Sequence, residues 1–316
     1  MPKISIGITT FKRPEKLISC IKSILNQTYK DFEIIIGNDD PNKKITSKTN
    51  NLYNNPKIKI INNDKNLGER DNMNNLLKIA LGEYFIWLSD DDSLFPNFFE
   101  KNLINLEQDN KIVVSYTSYT SKKEFNEKKS KFQIFEQQEF LENYLSKKIK
   151  LIGVYGLFRK KYLIYAGGMQ KTSKSLENNY NEAMGMYPYA DIILPIKISK
   201  FGKIAYSYEE LIFYELLGGS RSSITKDLKA HIKSENDVRN AIHEVSKENT
   251  DLNKRKESYD YHLSKWFFIN QMSIINRIES KKNIQKFILI IKVFIRYILK
   301  LNTKNKLKFI KSILLK

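Results

Sequence analysis

The chain has 316 residues, 41% of them apolar, enough to build one large domain, or a domain with an appendage, around a proper core. A single cysteine, Cys20, excludes a disulfide framework and a thiolate metal cage, and His231, His243 and His262 are spaced too widely for a helical metal pair. The net charge of +19 is uneven: residues 1–225 hold 33 basic and 26 acidic side chains, whereas residues 284–316 hold nine basic and none acidic. Such a charge attracts nucleic acid, anionic lipid or a phosphorylated substrate, and its sign alone does not choose among them.

Residues 4–9 alternate apolar and small side chains, the mark of a strand. The chain start thus reads as a half-buried strand rather than a signal peptide, and the expected location is the cytoplasm. Pro14 suits a first helical position, Glu15 suits the helix dipole, and Leu17, Ile18, Ile21, Ile24 and Leu25 repeat at helical spacing with Cys20 on the same face. Glu33–Ile36 is a short apolar run entering the polar loop Gly37-Asn38-Asp39-Asp40-Pro41. Strand, helix and strand make a parallel βαβ unit, which places Thr9 and Asp39 beyond the carboxyl ends of its strands, where ligands bind in open α/β sheets.

A third strand is expected over 57–61, then a loop to Gly68 and a helix with Met73, Leu76, Leu77 and Ala80 on one face, ended by Gly82 as a left-handed cap. The aromatic and branched run Glu83–Leu88 predicts a strand leading directly into Ser89-Asp90-Asp91-Asp92. Pro96 opens the next helix and Ile112–Tyr116 closes a Rossmann-like half. Residues 121–131 read as an exposed excursion and 170–188 as loop. A helix over 191–200, a strand over 203–208 and a charged helical region from 226 complete the chain.

Three adjacent carboxylates after an apolar strand repel one another unless a cation or hydrogen-bond donors compensate them. One reading is a solvated turn in which Asp92 caps the following helix. The other is a site for a hard divalent cation bridging a diphosphate, held by one or two carboxylates and phosphate oxygens.

The segments ISIGITTFKRPEKLISCIKSILNQTYKDFEIIIGNDDP and NLGERDNMNNLLKIALGEYFIWLSDDDSLFP together resemble the family 2 glycosyltransferases of GT-A fold, in order and in spacing. The resemblance implies a Rossmann-like mixed α/β sheet flanked by helices over residues 1–225, with a nucleotide-binding half (1–118), an acceptor-binding half (119–225) and a C-terminal helical basic extension (226–316). It implies a nucleotide-sugar donor, UDP-linked by expectation, a divalent Mn²⁺ or Mg²⁺ ion, and a glycan or lipid-linked acceptor for a hexosyl or N-acetylhexosaminyl unit. The corresponding process is bacterial surface polysaccharide, capsule or lipopolysaccharide synthesis, with inversion at the anomeric carbon.

Residue by residue, the resemblance assigns Thr9, Phe11 and Asp39 to the nucleoside, where a carboxylate accepts the uracil N3 hydrogen. It assigns Asp90 to the ribose, Asp91 to the metal and Asp92 to an auxiliary metal contact. Ser89 stands where the family's leading aspartate falls, a departure shared with one branch. Arg70, Asn72 and Asn74 fall near the donor, Asn72 or Asn74 having a helix cap as alternative, while Met73 reads as core. Asp191, opening a helix, is the expected catalytic base, with a helix cap as its alternative and Glu182 and Glu177 as substitutes. Glu215 and Leu217 occupy places where the family often has arginine and histidine, and Arg221 is either a phosphate contact or a surface residue.

Two other classes are less consistent with the residues. A nucleotidyltransferase would carry a glycine-rich basic loop that Thr9–Pro14 lacks, and a nucleic-acid-binding protein would carry a recognisable motif; no nucleic acid partner is expected. A catalytically silent relative stays open. In the tail, Phe287, Ile288, Ile291, Phe294, Ile295, Ile298 and Leu299 form an apolar helical face, with Lys292, Arg296, Lys300 and Lys304 on the other. Charges interrupt it too soon for a spanning helix, and it reads as an amphipathic helix on an anionic membrane or as packing against the body or a second subunit.

Overall fold

The structure, a computed structural model, describes residues 1–122, 131–171, 189–215, 228–247, 249–276 and 283–314. Its centre is a mixed sheet with strand order β3-β2-β1-β4-β8-β6-β9-β5, β7 pairing with β9. The strands are β1 (Ile4–Thr10), β2 (Phe32–Asn38), β3 (Ile58–Asn62), β4 (Tyr84–Ser89), β5 (Ser93–Leu94), β6 (Ile112–Thr120), β7 (Phe132–Phe135), β8 (Leu157–Arg159) and β9 (Lys203–Phe213). The helices are α1 (Pro14–Leu25), α2 (Glu69–Ile79), α3 (Phe98–Glu107), α4 (Gln137–Leu145), α5 (Lys160–Tyr165) and α6 (Ala190–Ile198). Then follow α7 (Leu228–Ser246), α8 (Thr250–Lys254), α9 (Lys256–Asn276), α10 (Asn283–Leu299) and α11 (Thr303–Leu314). The expected mixed α/β sheet flanked by helices, with a helical C-terminal region, is therefore observed.

β1 lies between β2 and β4 and runs parallel to both, with Thr9 level with Gly37 on one side and Ser89 on the other. The alternation in β1 sends Ile4, Ile6 and Ile8 into the core shared with Leu17, Cys20, Ile21 and Ile24 of α1. Cys20 is thus a core thiol, as its place on the apolar face predicts. β6 runs across residue 118, so the two expected halves share one sheet.

Several local expectations change. Gly82 is not a left-handed cap: α2 ends at Ile79, the residue after it is extended, and Gly82 is absent from the positive-φ residues. A side chain there would meet the Ser5 amide at 2.6 Å, and Ser5 Oγ accepts the Gly82 N–H at 2.7 Å, so close strand approach explains the glycine. Asp92 caps no helix, because β5 intervenes and Asn97 precedes α3. Neither Asn72 nor Asn74 caps α2, whose N-terminal flank is Gly68. The strand expected over 203–208 extends to Phe213, carrying Tyr214 and Glu215 back beside the acidic triplet.

The C-terminal helices pack on this body rather than standing apart. Tyr259, Leu263, Phe267 and Phe268 of α9, Val293 and Tyr297 of α10 and Phe309 of α11 belong to the same apolar cluster as Trp87, Phe140 and Ile193. Buried Glu235 of α7 anchors the contact, paired with Arg239 at 3.0 Å and Lys300 at 3.2 Å and accepting the Tyr297 hydroxyl at 2.6 Å. A wholly buried carboxylate needs such compensation.

Candidate active site

The carboxyl ends of β1, β2 and β4 bring Thr9–Thr10, Asn38–Asp39 and Ser89–Asp92 together at one edge of the sheet, the natural ligand crevice of this topology. They form one side of a cleft of about 250 Å³ whose lining includes Thr9, Phe11, Asp39, Asn72, Asp91, Asp92 and Asp191.

The acidic triplet is compensated in three different ways. Asp90 is fully buried; Thr10 Oγ1 donates to it at 2.6 Å and Arg13 Nη2 lies 2.5 Å from its other oxygen. Arg13 forks, its Nη1 reaching Asp91 Oδ2 at 2.5 Å. Asp92 accepts the Tyr155 hydroxyl and, at 2.9 Å, the Glu215 amide. Burial pushes the Asp92 carboxyl up to about 7, against the pull of those two donors.

Asp39 binds its neighbouring loop: its carboxylate accepts the amides of Leu67 at 2.8 Å and Gly68 at 2.9 Å and the Asn63 side chain at 3.0 Å. Asn72 is buried and donates to the Gly37 carbonyl at 2.9 Å. Asn74 holds both the amide and the carbonyl of Met169, at 2.9 and 3.0 Å, and does not line the cleft. Arg70 pairs with Asp71 and is likewise absent from the lining. Met73 is buried, its carbonyl accepting the Trp87 indole at 2.8 Å. Glu177, Glu182, Leu217 and Arg221 fall outside the described residues.

Asp191, which lines the same cleft, is the second residue of α6. It is open to the cleft yet ringed by protein, which raises its pKa; the charge of Lys147 and the N–H groups of Asp191 and Ile192 oppose the shift, while Glu69 adds to it. The Lys147 residue is exposed, but its ammonium stands 4.1 Å from the Trp266 ring centre, and burial of that group lowers its pKa to about 8. Tyr189, in the left-handed region at φ 66°, precedes the helix, and its carbonyl accepts the Ile192 and Ile193 amides at 3.0 and 3.2 Å. Its ring is boxed by His231, Trp266 and Phe267 at 5.2, 5.4 and 5.0 Å, and its hydroxyl lies 3.0 Å from His231 Nδ1.

Sequence reading missed Arg13, Tyr155, Tyr189 and Lys147. Arg13 had a signal, a guanidinium just past β1 in a chain needing to neutralise three carboxylates. The others come from distant segments and leave no local pattern.

Among the described residues no group of three or more histidine, cysteine, aspartate or glutamate side chains is arranged to hold a metal ion. Asp91, a hard oxygen donor lining the cleft, suits Mg²⁺ or Mn²⁺ in company with phosphate oxygens. Asp92 lines the same cleft, each of its oxygens accepting one hydrogen bond, from the Tyr155 hydroxyl and the Glu215 amide, which leaves lone pairs for an auxiliary contact.

Residues 5–165 match the family described as Glycosyl transferase family 2. This chain belongs to that family. It is 33% identical over 152 residues, 45% of this chain and 52% of the relative, to an uncharacterized glycosyltransferase of Methanocaldococcus jannaschii. It is 41% identical over 96 residues, 30% of this chain and 31% of the relative, to a GalNAc(5)-diNAcBac-PP-undecaprenol beta-1,3-glucosyltransferase of Campylobacter jejuni. The chain thus spans about half and about a third of these relatives' lengths. In fold it is similar to residues 1–349 of TarS from S. aureus, with TM-score 0.62, 13% identity and coverage of 96% of this chain and 82% of that one. A mannosyltransferase of Pyrobaculum calidifontis, solved with GDP-Man and Mn²⁺, gives TM-score 0.51 at 10% identity, covering 98% and 83%.

Proposed function

We propose that the chain transfers a hexosyl or N-acetylhexosaminyl unit from a UDP-linked donor to a glycan or lipid-linked acceptor, with inversion, in surface polysaccharide synthesis at the inner face of the membrane. One observation carries the reading: Thr9, Asp39 and Asp91 at the strand ends line a single cleft together with Asp191 at the start of α6. A TarS structure with UDP-GlcNAc and the undecaprenol-linked acceptor named for the C. jejuni relative support the donor and acceptor classes.

In this reading Thr9, Phe11 and Asp39 seat the nucleoside and Asp90 orients the ribose side of the pocket through Thr10 and Arg13. Asp91 would hold a divalent ion, which when bound neutralises charge on the departing diphosphate. Asp92 keeps Tyr155 and the Glu215 strand end in place. Asp191 removes the proton from the acceptor hydroxyl as that oxygen bonds to the anomeric carbon and the bond to the diphosphate breaks on the far side. Its raised pKa strengthens it as a base. Titration with UDP and UDP-sugars, with and without Mn²⁺, tests the reading; no binding, together with unchanged behaviour of Asp91→Ala, would end it.

A further inference from the structure

The amphipathic α10 docks with its mixed face inward. Tyr297 and Val293 are buried, Arg296 and Lys300 turn toward Glu235 at 3.9 and 3.2 Å, and Phe294 and Tyr297 pack on Phe268 of α9. The basic row that composition alone would assign to solvent is thus partly used to neutralise a buried carboxylate. The apolar row faces outward instead: Phe287 is 63%, Ile291 41%, Ile295 48% and Leu299 72% exposed, with Ile288 beside them at 47%. Residues four apart lie along one side of a helix, so this ridge runs for about 18 Å. Contiguous exposed apolar surface of this kind marks an interaction site.

We infer that the Phe287–Ile291–Ile295–Leu299 ridge is the chain's docking surface for an anionic lipid bilayer, into whose interface it inserts while neighbouring lysines meet the headgroups. The charge around the ridge selects this occupant. Lys292, one position from Ile291 and three from Ile295, is exposed on α10, Lys304 and Lys311 are exposed on α11, and residues 284–316 contain nine basic side chains and no acidic one. A second copy of the chain would bring the same cationic rim and the same net charge of +19 against it, whereas anionic headgroups complement it. No helix among the described residues is long and apolar enough to cross a membrane, which suits a helix lying in the interface plane. The inference rests on the proposed lipid-linked acceptor for its biological sense, but its test uses no activity, so the two can fail separately.

The test is co-sedimentation of the full chain with vesicles of phosphatidylcholine mixed with phosphatidylglycerol, or of phosphatidylcholine alone. Binding to the mixed vesicles at least about tenfold stronger than to the neutral ones is expected, given several lysines at the rim. The triple substitution Ile291→Asn, Ile295→Asn and Leu299→Asn, which leaves the Glu235 contacts alone, is expected to abolish it with the melting temperature retained. Should that variant fold poorly, Leu299→Cys labelled with an environment-sensitive dye supplies the readout, since Cys20 is buried; a blue shift on mixed vesicles is expected. A wild-type chain that stays in the supernatant, an unshifted dye, or a ridge-dependent dimer in sedimentation without vesicle binding overturns the inference.

Discussion

The backbone carbonyl oxygen of Asp191 lies where a side chain on Gly153 would begin: a Cβ built there would stand 1.7 Å from it. Tyr116 donates its hydroxyl to the Gly153 carbonyl at 3.0 Å, so the glycine is pinned from the other side as well. Gly153→Ala must therefore push the start of α6 outward. Overpacking of this kind costs about 1–3 kcal/mol, and a base displaced by about 1 Å loses about 10²-fold in kcat. UDP affinity is expected to fall less than kcat, because a side chain on Gly153 would meet Asp191 and Pro195 of α6 rather than the strand ends that carry Thr9, Asp39 and Asp91. Equal losses in kcat and UDP affinity would show that the glycine serves general stability only.

Asp191→Asn is expected to lower kcat by about 10²–10⁴-fold, the usual worth of a positioned general base. In the proposed role Asp191 works only when ionised, so the rate is expected to fall as pH drops through its pKa, which the surrounding protein has raised. Lys147→Met removes the opposing positive charge, raises that pKa further and moves the acid limb of the kcat profile to higher pH. Because the wild-type ammonium itself discharges around a pKa of about 8, the two profiles should converge above it. Coincident acid limbs would refute the coupling.

Arg13 occupies the position of a cation between Asp90 and Asp91. Arg13→Ala takes from buried Asp90 the cation it shares with Asp91, a loss of about 3 kcal/mol for a broken buried pair. If a divalent ion uses the same carboxylates, Mn²⁺ should raise the melting temperature of the variant more than that of the wild type, by ligand linkage. Identical shifts in both proteins would show that ion and arginine bind apart.

Glu235→Ala should be the most disruptive change in the extension. It takes the carboxylate from Lys300, leaves Arg239 with Asp260 as its carboxylate partner and deprives the Tyr297 hydroxyl of its acceptor, at a cost of about 3 kcal/mol. Urea denaturation and limited proteolysis of α10 and α11 would register it. A loss below about 1 kcal/mol, the scale of surface pairs, would contradict the anchoring role.

The first 118 residues are readable from sequence because their information is local. The alternation of Ile4, Ile6 and Ile8, the helix start at Pro14 and the aromatic strand before Asp90 each fix an element within a few residues. What escaped is long in reach. Asp92 is held by Tyr155, 63 residues away, and by Glu215, 123 residues away, and no periodicity encodes either partnership. The amides of Asn72 and Asn74 bind backbone, a use indistinguishable in sequence from binding a ligand. In α10 the apolar spacing showed an amphipathic helix but not which side docks, since that depended on one buried glutamate in another helix.

Consecutive residues of α9 look in two directions: Trp266 and Phe267 close on Tyr189, while Phe268 meets Phe294, Tyr297 and Phe309. The segment matching the family ends at residue 165, before Asp191 and before every one of these rings. Trimming or grafting by family boundaries would keep the strand ends that carry Thr9, Asp39 and Asp91 and discard Asp191 and the rings around Tyr189. The indivisible unit of this protein is therefore larger than its recognisable domain, and swaps with relatives should be cut beyond α11 rather than at the end of the sheet.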